Sequence, residues 1–74
     1  MTKLTKQQLR LLEVYKNQYV GHWLREGQSY MNALYDISPT VHDSILATDA
    51  DCFYNDNKIT KFFKELTNDK QETV

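Results

Sequence analysis

The side chains that could do chemistry are concentrated between Thr48 and Asn57, a segment with five Asp or Asn residues in ten positions. Clustered carboxylate and amide oxygens are the ligands that Ca²⁺ prefers. An EF-hand loop also needs alternating ligands, a central Gly and a closing Glu. Here Cys52 and Phe53 interrupt the alternation, and the segment has neither Gly nor Glu. We therefore expect these oxygens to cap helices and stabilise turns, and we predict no metal site.

A second polar group, formed by Arg25, Gln28 and Asn32, follows one side of a predicted helix at spacings i, i+3 and i+7. Such a strip can hold a neighbouring loop through charge-assisted hydrogen bonds, here from Arg25 to Asp49 or Asp51. In this interpretation the structural clamp consists of Arg25, Gln28, Asn32, Thr48 and Phe53. The alternative is that the same strip and the exposed tyrosines form a face that binds a partner protein.

The residues predicted to contact a partner are the loop aspartates and three tyrosines. Tyrosine is enriched in protein interfaces because it combines a large contact area with a polar group. The predicted partner-binding set is Asp49, Asp51, Tyr54, Asp56, Tyr35 and Tyr19. We expect it to form a docking surface without a reactive centre.

The reactive residue types do not form a catalytic pattern. His42 and Asp43 are adjacent, so on a helix their side chains point about 100° apart and are not expected to pair. His22 is predicted at a helix start, as a surface or boundary histidine. Cys52 has an acidic and an aromatic neighbour, which would raise rather than lower a thiol pKa. The sequence has no Gly-rich phosphate loop and no nucleophile elbow, so we predict neither an enzyme nor a cofactor.

Size and composition limit the class of protein. The chain has 74 residues, 41% hydrophobic and 26% charged, which is typical of one soluble globular domain. Its single cysteine excludes an internal disulfide framework and fits a reducing compartment. It has no apolar run of about 20 residues and no secretion signal at its start. These features predict a cytoplasmic protein that does not enter a membrane.

Charge is unevenly distributed, although the net charge is only −1. Residues 36–57 contain five Asp and no Lys or Arg, whereas the flanking segments are mildly basic. An acidic binding face and internal pairing between helices both fit this distribution. The first helix carries a weak basic stripe at Lys3, Lys6, Arg10 and Lys16. This stripe suggests an alternative function, a small regulator that contacts nucleic acid, but the near-neutral net charge disfavours it.

The first two helices are predicted from apolar periodicity and capping signals. Thr5 and Gln8 fit a capping box before a helix from about Lys6 to Val20, and Gly21 is predicted to end or kink it. The second helix is predicted from about Trp23 to Ile37. Gly27 within its apolar face costs about 1 kcal/mol relative to Ala. A close helix approach would explain it, with the ring of Trp23 or a tyrosine of the first helix packed over the glycine.

Two shorter helices are predicted after Ile37. Ser38 and Pro39 are typical of a helix start, and the third helix is predicted from Pro39 to about Ala47, with Val41 and Ile45 buried. The aspartate loop (residues 48–57) follows, with Asn55 or Asn57 as the cap of the last helix. We predict that Phe53 and Tyr54 pack this loop onto the core. The last helix carries the apolar stripe Ile59, Phe62, Phe63 and Leu66.

Together these elements predict an all-α fold, a compact bundle of three to four short helices with an ordered Asp-rich loop between the last two. Residues 1–67 are expected to form a single helical domain, and residues 68–74 a frayed polar tail. Self-association is also expected, because a small core gains stability by burying one more face. A symmetric homodimer is then the default form.

Much of the chain, about residues 22–66, resembles a family of short, mostly uncharacterised bacteriophage and bacterial proteins. Their pattern is W-x-x-R-x-G-Q-x-x-x-N-x-L, then a Pro-led short helix, then T-D-x-D-P-F-[YH]-x-D. The matching residues are Arg25, Gly27, Gln28, Asn32, Leu34, Pro39, Ile45, Thr48, Asp49, Asp51, Phe53, Tyr54 and Asp56. Trp23 is one position closer to Arg25 than in that pattern, and Cys52 replaces its proline, which predicts a less rigid loop.

The resemblance implies a biological context rather than a reaction. A phage-type accessory protein of this size would act by binding a host protein in the bacterial cytoplasm. The specific expectation is that it inhibits a component of a host defence system, either a restriction or a phage-exclusion system. The alternatives are the nucleic-acid regulator and a structural or assembly protein.

Overall fold

The computed structural model describes residues 3–21 and 24–67. Four α-helices lie within them: α1 (Lys6–Val20), α2 (Glu26–Ile37), α3 (Pro39–Ile45) and α4 (Ile59–Thr67), with a 3-10 helix at Asp56–Lys58 leading into α4. The described residues contain no β-strand, so the predicted all-α bundle is confirmed. His22, Trp23 and the predicted tail at residues 68–74 lie outside the described residues.

Helix α1 has the predicted bounds because its start is determined locally. The Thr5 hydroxyl accepts from the backbone N–H of Gln8 at 3.1 Å, and the Gln8 side chain accepts from the Thr5 N–H at 3.0 Å. This reciprocal pair satisfies two N–H groups that have no partner inside the helix. Gly21 ends the helix with φ −72°, so the left-handed conformation typical of a C-terminal glycine is not used here.

Helix α2 begins three residues later than predicted, at Glu26. Arg25 has extended backbone angles and serves as the N-cap residue. Its N–H donates to the Gln28 side chain at 3.2 Å, which is one half of a capping box. The other half cannot form because a guanidinium has no acceptor. The start of α2 therefore needs an acceptor from elsewhere in the chain.

Helix α3 begins as predicted but ends at Ile45 rather than Ala47. Ser38 caps it through a 3.3 Å bond from the Val41 N–H, and Pro39 occupies the first turn. Ala47 has φ 65°, the left-handed conformation that side chains with a Cβ disfavour. A continuous helix through this residue is therefore impossible, and the chain turns into the aspartate loop.

The core lies where α1, α3 and α4 pack around α2. Leu12, Met31, Leu34, Phe62 and Leu66 are fully buried. From the predicted α4 stripe, Phe62 and Leu66 are buried, while Ile59 and Phe63 pack at the border of the core. The two ends of the described chain meet through a 3.0 Å bond from the Leu4 N–H to the Leu66 carbonyl. Helix α2 is therefore central, and the aspartate loop is free to fold back onto its start.

Candidate partner-binding site

The aspartate loop contacts α2 at Gly27, backbone against backbone. A Cβ at Gly27 would overlap the carbonyl oxygen of Cys52 and would lie 2.8 Å from Asp56 Oδ1. Gly27 is thus required for a close approach, but the approaching element is the loop and not another helix as predicted. The atoms nearest to Gly27 belong to the loop, to Cys52 and Asp56, and not to a tyrosine of α1 as predicted; the other predicted neighbour, Trp23, lies outside the described residues.

Asp56 supplies the acceptor that the start of α2 lacks. Its Oδ1 accepts from the Gly27 N–H at 2.9 Å. Because helix N-termini carry unpaired N–H groups and a partial positive charge, a carboxylate here stabilises the helix. Arg25 Nε lies 3.7 Å from the same oxygen, and its Nη2 donates to the Phe53 carbonyl at 2.6 Å. The prediction that Arg25 pairs with Asp49 or Asp51 is therefore wrong.

Cys52 lies in the middle of this contact and is completely buried. Its thiol donates a weak hydrogen bond to the Gly27 carbonyl at 3.4 Å. Burial, and to a lesser degree the nearby carboxylates of Asp51 and Asp56, raise the pKa of Cys52 to about 12. The thiol is thus neutral at physiological pH and unsuited to nucleophilic chemistry. Among the described residues no group of three or more His, Cys, Asp or Glu is placed to hold a metal ion.

Asp51 stabilises the turn from inside the loop. Its two carboxylate oxygens accept from the Ala47 N–H at 2.7 Å and from the Phe53 N–H at 2.9 Å. Thr48 is also used locally, because its hydroxyl donates to the Ile45 carbonyl at 2.6 Å and accepts from the Ala50 N–H at 3.2 Å. Thr48 therefore has a turn-stabilising role and does not tie the loop to α2.

Asp49 is turned towards α4 and pairs with two lysines. Its carboxylate contacts the ammonium of Lys61, and Lys58 Nζ lies 3.7 Å away. The hydrogen bond and charge of Lys61 lower the pKa of Asp49. The three loop aspartates of the predicted partner-binding set, Asp49, Asp51 and Asp56, thus all have partners within the chain. The three carboxylates therefore do not form a surface of unpaired acidic groups.

The predicted clamp is only partly assembled. Arg25 and Phe53 meet through the side chain of one and the carbonyl of the other. Gln28 instead binds back to the Arg25 N–H, and the half-buried side chain of Asn32 makes no hydrogen bond with another described residue. The links between loop and helix come from Arg25, Cys52 and Asp56.

The three tyrosines of the predicted site are in three different environments. Tyr19 donates its hydroxyl to Asp36 Oδ2 at 2.6 Å, which also raises its pKa. The Tyr35 ring packs edge-on against His42, with centroids 5.2 Å apart. Tyr54 is 84% exposed, and its ring packs against the Phe53 ring with centroids 4.8 Å apart. Phe53 thus packs against the core as predicted, but Tyr54 points into solvent.

His42 and Asp43 do pair, contrary to the expectation from their helical spacing. His42 Nδ1 and Asp43 Oδ1 lie 3.1 Å apart. Both residues are in the last turn of a seven-residue helix, and side-chain rotation closes the gap that the backbone directions leave. His42 is half-buried beside Tyr35, as a boundary histidine.

Lys16 is not part of a basic surface stripe. It is buried, with Glu13 at 3.8 Å and Glu26 at 3.7 Å, and its ammonium lies 5.0 Å from the Tyr30 ring centroid. The Tyr30 hydroxyl donates to Glu13 at 2.8 Å, which links this network to the core. The sequence contained a signal for this burial, because Lys16 lies four residues after Leu12 and therefore on the same, inner face of α1. Its loss from the stripe weakens the nucleic-acid alternative.

Comparison of the chain with protein-family models, curated proteins and solved structures gives no match. Within residues 3–21 and 24–67, no helix is both long and apolar enough to span a bilayer. The fold and the site together define a small all-α domain in which a polar loop is fixed to its central helix and presents the exposed ring of Tyr54.

Proposed function

We propose that the protein binds another protein through the tip of the aspartate loop, with Tyr54 as the main contact residue. The observation that carries this proposal is the 84% exposure of Tyr54 on a loop whose backbone is held at several points. Interface energy is concentrated in a few aromatic and arginine residues. A ring presented on an already ordered loop loses little conformational entropy when it binds.

The loop is already ordered in the unbound protein. Residues on both sides of Tyr54 are fixed, since the Phe53 carbonyl accepts from Arg25 and the Asn55 N–H donates to the Cys52 carbonyl at 3.3 Å. The loop aspartates are used inside the chain, so a partner would meet mainly the Tyr54 ring and the edge of Phe53. Such a surface fits an apolar pocket on a partner protein better than a basic patch.

We propose further that this activity is inhibitory. The partner is a host protein in the bacterial cytoplasm, a component of a restriction or phage-exclusion system. This part rests on the resemblance to short phage and bacterial proteins, whose pattern includes Tyr54 and Asp56. We also propose that the protein works as a symmetric homodimer.

Affinity capture from bacterial lysate tests the Tyr54 site. The baits are the wild-type protein, Tyr54→Ala, Tyr54→Phe and Tyr35→Ala, each with its helical circular dichroism recorded. The amount of a protein captured through this site should fall at least tenfold with Tyr54→Ala. It should stay the same with Tyr54→Phe and with Tyr35→Ala. Capture that survives Tyr54→Ala, or that Tyr35→Ala removes equally, would contradict the proposed site.

Plating of unmodified phage on a restricting host tests the inhibitory role. Expression of the wild-type protein should raise the plating efficiency, and expression of Tyr54→Ala should not. The same strains without the defence system are the control. An unchanged plating efficiency on hosts that carry the system would count against inhibition of that system, whatever the capture result.

A further inference from the structure

The outer side of α1 carries an uncharged strip that no other described element covers. It consists of Gln7, Leu11, Val14 and Gln18, and all four residues are exposed. Leu11 is 42% and Val14 is 51% exposed, and the two lie next to each other on one face of α1. Leu12 and Lys16, on the opposite side, are the residues that α1 buries. The strip is thus separate from the side of α1 that packs on the core.

The intervals between the residues of this strip are the same whether they are read from its first residue or from its last. The intervals along Gln7, Leu11, Val14 and Gln18 are four, three and four residues, with the same residue type at both ends. Intervals of three and four are those of a seam between two packed helices. If two copies of α1 cross antiparallel about the point between residues 12 and 13, Leu11 meets Val14 of the second copy. Gln7 then meets Gln18 of that copy, and the amides can exchange hydrogen bonds.

Charge favours the antiparallel arrangement over the parallel one. Lys6 and Arg10 lie in the first half of α1, and the only charged residues beyond them in this helix, Glu13 and Lys16, pair with each other. A parallel pair would bring the basic ends of two copies together, which is unfavourable. An antiparallel pair separates these ends by the length of the helix and also opposes the two helix dipoles.

We infer that α1 is the interface of a two-fold symmetric homodimer, formed by its Gln7–Leu11–Val14–Gln18 strip against the same strip of a second copy. This inference rests on the homodimer proposed above and is independent of the Tyr54 site. One helix pair buries less than the roughly 1,200–2,000 Å² of a standard stable interface. The association is therefore weak, and the dimer forms at micromolar or higher concentration.

Sedimentation velocity over a range of protein concentrations tests the interface. The wild-type protein should shift from monomer to dimer as its concentration rises. Leu11→Lys, which places a charge in the centre of the strip, should raise the dissociation constant at least about tenfold. Leu46→Lys is the matched control, because Leu46 is 50% exposed but lies beyond α3, and it should leave the equilibrium unchanged.

The outcomes distinguish between two questions: whether the protein forms a homodimer, and whether α1 is its interface. A wild-type protein that stays monomeric up to about 1 mM overturns both the homodimer and the α1 interface. A dimer that Leu11→Lys leaves intact, or that Leu46→Lys weakens equally, overturns the α1 interface alone. Circular dichroism of each variant confirms that an effect on association is not an effect on folding.

Disulfide cross-linking tests the orientation of the two helices. Gln7→Cys and Gln18→Cys are mixed and oxidised, with each variant oxidised alone as the control. An antiparallel pair gives a cross-link mainly in the mixture. A parallel pair places the two positions about 16 Å apart along the axis, so each variant would cross-link with itself, and that result would overturn the proposed symmetry.

Discussion

At the scale of single residues, Gly27 has the more restrictive environment of the two glycines. It lies inside a helix, where glycine is unfavourable by about 1 kcal/mol. This cost is offset because only a residue without a side chain lets the Cys52 carbonyl lie against α2. The second glycine, Gly21, has an ordinary φ of −72°, and a Cβ added to it would meet no atom within 4 Å. The two glycines therefore make a matched pair for substitution.

Gly27→Ala is expected to lower the free energy of unfolding by about 1–3 kcal/mol, because the new methyl group collides with backbone that cannot rotate away. Gly21→Ala should change it by less than about 1 kcal/mol, in the stabilising direction. Urea denaturation followed by circular dichroism measures both. Equal effects of the two substitutions would show that the loop does not lie against Gly27.

At the scale of elements, the start of α2 depends on the aspartate loop. Its own N-cap residue, Arg25, has no side-chain acceptor, and Asp56 provides one from 29 positions away. The loop in turn depends on α2, since Arg25 holds the Phe53 carbonyl. Loop and helix are thus expected to order together, which ties the presentation of Tyr54 to the integrity of α2.

Asp56→Ala should destabilise the protein by about 1–2 kcal/mol, as the loss of a helix N-cap does. Asp56→Asn keeps an oxygen acceptor and should cost less than half as much. Thermal or urea unfolding of the two variants gives the comparison. If both variants lose the same stability, the charge of Asp56 rather than its hydrogen bond to Gly27 holds the loop, and the capping role is refuted.

At the scale of the whole molecule, folding buries groups that ionise only at alkaline pH. The folded state raises the pKa of Cys52 from 9.0 to about 12, mainly by burial. Burial and the hydrogen bond to Glu13 also raise the pKa of Tyr30 above its ordinary 10.0. A raised pKa means that the folded state holds its proton more tightly than the unfolded state. The stability is therefore complete below pH 9 and falls as the pH rises through the folded-state values.

The free energy of unfolding should decrease by about 1 kcal/mol between pH 9 and pH 10, where the thiol of the unfolded chain ionises before its tyrosines. Cys52→Ala should remove most of this slope. Urea titrations at closely spaced pH values measure it. A slope that Cys52→Ala leaves unchanged would mean that the thiol is not buried as described.

Most predictions based on neighbouring residues are accurate, although the adjacent His42 and Asp43 pair against expectation. The Thr5–Gln8 capping box predicts the bounds of α1, Ser38 and Pro39 predict the start of α3, and the position of Gly27 in an apolar face predicts the close approach. These signals depend on positions three or four apart, whose geometry a helix fixes by itself. Predictions about partners farther apart in the chain are less accurate. They pair Arg25 with Asp49 or Asp51, pack Tyr54 onto the core and leave Lys16 on the surface.

The sequence alone determined the all-α class and most of the element bounds, because caps and apolar stripes act within one or two turns. Only the tertiary structure decided which carboxylate caps α2, which backbone lies on Gly27 and which tyrosine is the most exposed. The physical reason is that the loop aspartates lie within eight positions and are chemically equivalent candidates, as are the several tyrosines along the chain. The choice between them depends on the path of the chain across the core, and a turn of one or two residues, such as that at Ala47, changes which of them reaches α2.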